Sequence, residues 1–334
     1  MKKKIIILKN DRTGDLFVSL KAINRIINKH INQEIIIFLS NINQKFNFLF
    51  PKLSRKIIPM NLNIITKIKI FMYILFNDID TIYILTPKNF YYYLPFFFRN
   101  IKFYAITIKS LKNRPSSYLL KYLYKYEVLD RTHIKKRKSS YLIQENLIEH
   151  ISNKDNLNKV ITSSHNFIYP NKFIFFHYKK KFFKELLNWD LYTVNKLLYF
   201  LNDRYENICF SSELNDEKIN KFFVSKFNHF NFDDNKKIII NKKNIFFLKN
   251  IDGSNLFEAI QKSSKIISPE GIITHMGYFL NKPILTLMFF HMNDRRDFIN
   301  QIISCKEWFP PNNYEYTMLK KDFKKTLKKI KNRL

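Results

Sequence analysis

Three short stretches carry the residues that could do chemistry. The first is Lys9-Asn10-Asp11-Arg12-Thr13-Gly14-Asp15, lying between an apolar run and an amphipathic one. Gly14 permits a tight turn, and Asp15 stands where a helix begins. A carboxylate there can serve as a general base, or simply as a helix N-cap contributing about 1 kcal/mol. The second is Ser268-Pro269-Glu270-Gly271-Ile272-Ile273-Thr274-His275. Glycine at a helix start lets backbone N–H groups approach a ligand, and the helix end adds unpaired donors and partial positive charge. That suits a diphosphate; the plainer alternative has Glu270 capping the helix and His275 packed beneath it. The third is His177-Tyr178-Lys179-Lys180-Lys181-Phe182-Phe183-Lys184, basic enough to neutralise phosphates, in a chain where lysine clusters are common. Asp78-Ile79-Asp80 looks like the D-x-D metal site of some sugar transferases. It precedes the apolar run Thr81–Leu85, at the amino end of a strand, and reads as a solvated turn.

These stretches need elements to position them. Ile5–Leu8, Ile35–Leu39, Thr81–Leu85 and Lys102–Ala105 read as strands. Asp15–Asn28, Ile64–Phe76, Ser116–Tyr126 and Tyr141–Ile151 read as helices. The aromatic run Phe90–Phe98, interrupted by Pro95, reads as core or as a lipid-facing patch. After a polar, Asn- and Ser-rich linker at 152–171 the pattern repeats. Strands Phe173–Phe176, Asn207–Ser211, Asn244–Leu248, Lys265–Ser268 and Ile284–Met288 alternate with helices Leu191–Leu201, Asp216–Phe227, Leu256–Ser263 and Ile272–Leu280. Continuous apolar strands separated by helices indicate parallel sheets covered on both faces. The expected fold is α/β, with two doubly wound Rossmann-like domains facing a cleft. Residues 1–160 form the first domain and 165–318 the second. Residues 319–334 form a basic amphipathic helix packed away from the second core. Ligands of such sheets bind beyond the carboxyl ends of strands, which is where all three stretches fall.

Composition removes several classes. The 334 residues are 46% hydrophobic and include 34 Phe and 19 Tyr, enough for real cores. Only four glycines are present, so G-x-G-x-x-G cannot be written, and no P-loop motif occurs. H-E-x-x-H, G-x-S-x-G and zinc-ligand spacings are also missing; no metal site and no cofactor is expected. Cys209 and Cys305 suit free thiols in a reducing cytoplasm. No signal peptide or membrane-spanning run is expected. The formal net charge of +31 partly reflects a composition rich in Lys, Asn, Ile, Phe and Tyr. Its physical consequence is attraction to nucleic acid, anionic lipid and phosphorylated substrates.

Together the stretches resemble the heptosyltransferase-like family of glycosyltransferases (glycosyltransferase family 9), which have the GT-B fold. "IIILKNDRTGDLFVSLKAINRI" looks like that family's first strand, its G-D turn and the helix that follows. "LFEAIQKSSKIISPEGIITHMGYFLNKPILTLM" looks like the region around its D-T-G-x-x-H motif, with His275 and Pro283 at the family spacing. Glu270, Gly271 and Ile272 stand where the motif has aspartate, threonine and glycine. "FIFFHYKKKFFKELLNWDLYTVNKLLYFL" resembles the entry to the second domain. The family's lysine two residues before the tryptophan is Leu187 here, and Lys184 lies five before Trp189.

The resemblance implies an inverting, metal-independent transferase. It would move heptose or a similar sugar from a nucleotide-diphosphate donor to a lipopolysaccharide-core or other surface-glycan acceptor. Asp15 would be the base, with Arg12, Thr13 and Gly14 forming the acceptor loop. Lys181, Lys184, Gly271, Thr274 and His275 would hold the diphosphate. Glu213, or alternatively Glu217, would bind the ribose, and Glu270 the donor sugar. The acceptor would be an anionic or lipid-linked glycan. The protein would be cytoplasmic, touching the anionic inner face of the inner membrane, with no obligate protein partner. Two rival readings remain: a basic nucleic-acid-binding protein, and a GT-B-like scaffold without activity.

Overall fold

The computed structural model describes residues 3–51, 53–110, 117–132, 137–148, 167–213, 216–241, 243–289, 299, 301–302 and 305–333. Two compact units emerge. Met1–Asn158 with Asp294–Pro311 make the first, and Lys159–Asn293 with Asn312–Leu334 the second. The segment 294–311, expected within the second domain, therefore groups with the first unit.

The first unit contains β1 (Lys4–Lys9), α1 (Thr13–Lys29), β2 (Glu34–Ser40), β3 (Ser54–Ile58), α2 (Ile64–Leu75) and β4 (Ile79–Ile84). α3 (Asn89–Phe97), β5 (Lys102–Lys109), α4 (Ser117–Leu120), β6 (Lys125–Asp130) and α5 (Ser140–Asn146) follow. The sheet order is β3-β2-β1-β4-β5-β6, parallel throughout. This is the doubly wound order whose direction reverses between β1 and β4. The central strands are apolar along their whole length because both faces are covered. α2, α3 and the residues around α4 share one core cluster with β1, β2, β4 and β5. Arg25 ties α1 to α5 by an ion pair to Glu145 at 2.8 Å. Glu307 is almost wholly buried and bonds the Arg131 guanidinium, which fastens the returning segment to β6.

Two expectations fail here. The helix expected over Ser116–Tyr126 is only the four-residue α4 among the described residues, followed by β6. β6 is a mostly half-buried edge strand paired in parallel with β5, and Tyr126, Val128 and Leu129 sit in it without a clean apolar–polar alternation. β3 was not expected at all; it is a short, basic, largely exposed edge strand.

In the second unit the order is β7 (Phe173–His177), a π-helical turn (Lys181–Leu186), α6 (Leu191–Asn202), β8 (Asn207–Ser211), α7 (Glu217–Lys226), β9 (Asn228–Asn231) and β10 (Lys236–Ile238). Then come β11 (Ile245–Lys249), α8 (Gly253–Lys262), β12 (Lys265–Pro269), α9 (Ile272–Phe279), β13 (Ile284–Met288), β14 (Tyr314–Met318) and α10 (Phe323–Lys331). The eight strands run β10-β9-β11-β8-β7-β12-β13-β14. All pair in parallel except β10 against β9. The reversal lies between β7 and β12. The terminal helix does not pack away from this core. Ile330 is 1% exposed and belongs to the cluster of Trp189, Leu197 and Phe223, with Phe323 and Leu327 against it. Trp189 Nε1 donates to the Lys321 carbonyl at 2.8 Å. The apolar stripe Phe323–Leu327–Ile330 outweighs the lysines, which extend to solvent on their alkyl stems.

Candidate functional site

The switch-point rule directs attention to the carboxyl ends of β1 and β4 in the first unit. Lys9 is 1% exposed, with its ammonium 2.7 Å from Asp11 Oδ2 and 3.4 Å from the Leu85 carbonyl. Asn10 is fully buried and fixed from two sides. Its amide donates to the Pro59 carbonyl at 3.1 Å, and the Tyr91 hydroxyl donates to its Oδ1 at 2.8 Å. The Asp11 carbonyl accepts Ser40 Oγ at 2.7 Å and Asn43 Nδ2 at 3.1 Å. The loop is thus fixed from both neighbouring strands, yet Asp11 Oδ1, Asn43 Oδ1 and Thr86 Oγ1 are buried with no protein partner. Buried orphans of this kind call for a ligand or a water; the two carbonyl-type oxygens can only accept, and the Thr86 hydroxyl can also donate.

Asp15 is not the N-cap of α1. Arg12 occupies that position without a side-chain bond, and Asp15 is the third helical residue. Burial pushes its carboxyl above the ordinary value, aided by Asp11 and opposed by Lys9, Arg12 and Arg131. A raised carboxylate in the first turn of a helix is a stronger base than a surface aspartate. Arg12 is exposed, and Thr13 and Gly14 are half-buried beside it.

In the second unit the matching place is the end of β7 beside the end of β12. Gly271 is the N-cap of α9 at φ +153°, a conformation that L side chains rarely adopt. The N-cap residue offers no side-chain bond to α9, and the first-turn N–H groups of a helix have no partner within it. Lys179 Nζ donates to the Glu270 carbonyl at 3.2 Å and lies 3.6 Å from where a Gly271 Cβ would be. The lysine brought to the glycine is therefore Lys179, and not the expected Lys181 or Lys184. Those two stand exposed on the π-helical turn. Lys184 instead lines a separate cavity of about 640 Å³ with Lys180, Lys218, Trp189 and Tyr192.

Other expected residues divide in the same way. Glu270 is exposed beside Gly271. Glu213, just beyond β8, accepts the Lys180 backbone N–H at 3.2 Å, which joins it to the loop after β7. Glu217 is almost fully exposed and pairs with Lys221 one turn on. Thr274 and His275 turn inward. Thr274 is 1% exposed, with Oγ1 3.4 Å from Thr286 Oγ1. Burial pulls the His275 imidazole down to about 4, so it is neutral. Their side chains belong to the α9 packing, leaving the backbone of the first turn for a ligand. His177 is likewise pulled down to about 4 by burial and then by Lys179, and its Nδ1 lies 2.9 Å from Ser211 Oγ. Asp78 is exposed ahead of β4, and Asp80 Oδ2 accepts Thr81 Oγ1 at 2.8 Å, at the amino end of the sheet. Among the described residues no three His, Cys, Asp or Glu side chains gather to hold a metal, and no helix is long and apolar enough to cross a membrane.

Sequence reasoning missed Lys179, hidden in a run of three lysines. It also missed Asn43 and Thr86, each just past the carboxyl end of a strand. Applying the switch-point rule to β2 and β4, and not only to β1, would have found them.

Solved structures share this architecture. The Escherichia coli ADP-heptose lipopolysaccharide heptosyltransferase II superposes with a TM-score of 0.60 at 13% identity, over 95% of this chain and 90% of the other. An E. coli heptosyltransferase solved with ADP gives 0.61 at 11% identity, over 99% and 98%. The chain has a GT-B-like fold. The same GT-B architecture appears in the UDP-GlcNAc 2-epimerase of Methanocaldococcus jannaschii, with a TM-score of 0.53 at 14% identity over 98% and 92%. Its GT-B-like form is therefore common to glycosyltransferases and nucleotide-sugar epimerases. No protein-family model and no curated protein matches the sequence.

Proposed function

We propose that the chain is an inverting, metal-independent glycosyltransferase that takes a sugar from a nucleoside-diphosphate donor and builds a surface glycan such as a lipopolysaccharide core. One observation carries the reading: an uncapped helix N-terminus at Gly271, with Lys179 Nζ beside it, at the switch point of the second sheet. Unpaired N–H groups, helix dipole and ammonium together neutralise a diphosphate leaving group. Lys181 and Lys184 add distant positive charge. Glu213 binds the ribose, and Glu270 contacts the donor sugar.

The first unit supplies the acceptor half. Asp15 takes the proton of an acceptor hydroxyl as its oxygen attacks the anomeric carbon. The bond to the diphosphate oxygen breaks in the same displacement, so the anomeric centre inverts. Arg12, Thr13 and Gly14 flank the acceptor. Asp11 Oδ1 and Asn43 Oδ1, both buried and unpartnered, suit the hydroxyl donors of a polyol. The chemistry fits a cytoplasmic enzyme fed with nucleotide sugars.

Calorimetric titration with ADP, UDP and GDP, and with their sugars, tests the donor site. Selective binding of one nucleotide, lost in Gly271→Val, is the expected result. Product analysis then separates the activities that share the fold. Transfer to an added glycan supports the proposal; an isomerised sugar nucleotide without transfer makes the protein an epimerase. Binding that any polyanion competes for, and that salt abolishes, favours the nucleic-acid reading.

A further inference from the structure

α2 is apolar on both faces, which is unusual for a surface helix. Its buried face is Thr66, Ile70 and Ile74. Its outward face is also apolar: Ile64 is 73% exposed, Ile68 56%, Leu75 53%, and Phe76, just past the helix, 74%. Ile65 and Met72 complete the stripe, and among the exposed positions of 64–76 only Lys69 is charged. A surface helix ordinarily places charges there, and a contiguous apolar patch marks an interaction site. α3 extends the patch with exposed Tyr93 and Phe97; Phe71 of α2 packs on Phe97 at 5.6 Å.

Charge identifies the occupant. Between Glu34 and Glu127 the only acids are Asp78 and Asp80, which lie at the amino end of β4. The patch is rimmed by cations resting on aromatic faces: Lys56 over Tyr73, Lys67 over Phe90, and Arg99 over Phe96 and Tyr122. We infer that α2 and α3 form a docking face for an anionic phospholipid bilayer, with the apolar stripe entering the acyl boundary and the cationic rim meeting headgroups. A second copy is a poor occupant, because its own cationic rim would face this one. α3 and the segment leading into α2 hold the loop after β1. Tyr91 of α3 bonds Asn10, and Asn10 bonds the Pro59 carbonyl just before α2. Docking would thus bring the loop that leads into α1 and Asp15 close to the membrane surface. The inference does not rest on the glycosyltransferase reading.

The test is co-sedimentation of the full chain with vesicles of phosphatidylcholine alone, or mixed with phosphatidylglycerol. The wild type should bind the mixed vesicles. Ile64→Ser/Ile68→Ser/Phe76→Ser should lower binding at least about tenfold at any salt, and Lys69→Glu/Arg99→Glu should lower it mainly at low salt. All these positions are exposed, so unfolding midpoints should hold. Three results would each overturn the inference: no binding by the wild type; undiminished binding by the folded triple serine variant, which would move the contact elsewhere; or a concentration-dependent dimer that Ile68→Ser dissociates. Vesicle binding needs no nucleotide, so it succeeds or fails independently of any donor-site result.

Discussion

At the scale of single residues, Asp15 separates a base from a structural acid. Its carboxyl is raised by burial, so the folded state holds the proton more tightly than the unfolded chain. Stability from that group is fully present below the unfolded value and is lost as pH rises through the folded one. At neutral pH the buried charge is therefore a cost, and Asp15→Asn should unfold at an equal or higher temperature, the gain narrowing as pH falls. A capping aspartate would give no such gain. The same variant should lower turnover by about 10²–10⁴ while nucleotide affinity stays nearly intact. Retained turnover with normal affinity would remove Asp15 from the mechanism. His177 and His275 carry the opposite sign. Both are pulled down to about 4, so their stabilisation is present above the ordinary imidazole value and is lost as pH falls towards the folded one. Thermal midpoints measured from pH 7 to 4.5 should fall steadily. His275→Gln should flatten part of that slope.

At the scale of elements, β12, Gly271 and α9 form the donor half, and two glycines do different work there. Gly277 lets α9 lie on the sheet: an added Cβ would collide with Ile266 Cδ1 and sit 3.1 Å from Ile284. Gly277→Ala should therefore cost about 1–3 kcal/mol in denaturant unfolding. At Gly271 an added Cβ would meet only Lys179 Nζ at 3.6 Å, an ordinary contact, but the φ is unusual. Gly271→Val should accordingly weaken nucleotide binding more than it weakens the fold, by strain and by crowding the diphosphate. Lys179→Ala should weaken binding through charge, with an effect that shrinks as salt rises, while Lys184→Ala should do much less. Equal effects of the two lysines would undo the preference for Lys179. The strand–helix alternation that places this half was legible in the sequence because β7, β8, β12 and β13 are continuous apolar runs. The edge strands β3, β10 and β14 were not, because exposed strands mix polar with apolar residues, and neither was β9, whose four residues Asn-His-Phe-Asn carry one apolar side chain although the strand is buried. Gly271 was legible because glycine is so rare here. Lys179 was not, since a run of lysines does not reveal which one faces a neighbouring strand. The path of α10 was missed because its net charge hides a three-residue stripe. Ile330→Ala should cost about 2–5 kcal/mol of stability, a penalty that a helix packed away from this core would not show.

At the scale of the whole chain, the first unit is completed by a segment that follows β13 of the second in sequence. Residues 294–311 belong with 1–158, and their anchor is Glu307. This carboxylate is 2% exposed, accepts Arg131 Nε at 3.0–3.1 Å, and lies 3.9 Å from Arg137 Nη1. Its reach extends to the proposed base, because Arg131 is one of the charges that lower the Asp15 carboxyl against its burial. Burial is what holds Asp15 high, and Arg131 is the smallest of the charges that oppose it; Glu307 partly neutralises Arg131, so without it the field of Arg131 acts undiminished. Glu307→Gln keeps the shape and removes the charge. It should cost about 1–3 kcal/mol, since charged donors lose their best acceptor. It should also move the acid limb of the pH–kcat/KM profile to lower pH, while Asp15→Asn removes that limb altogether. An unmoved limb in a destabilised variant would mean that the segment only closes the fold. A limb displaced downward would show that the base is tuned by a stretch of chain lying nearly three hundred residues away in sequence.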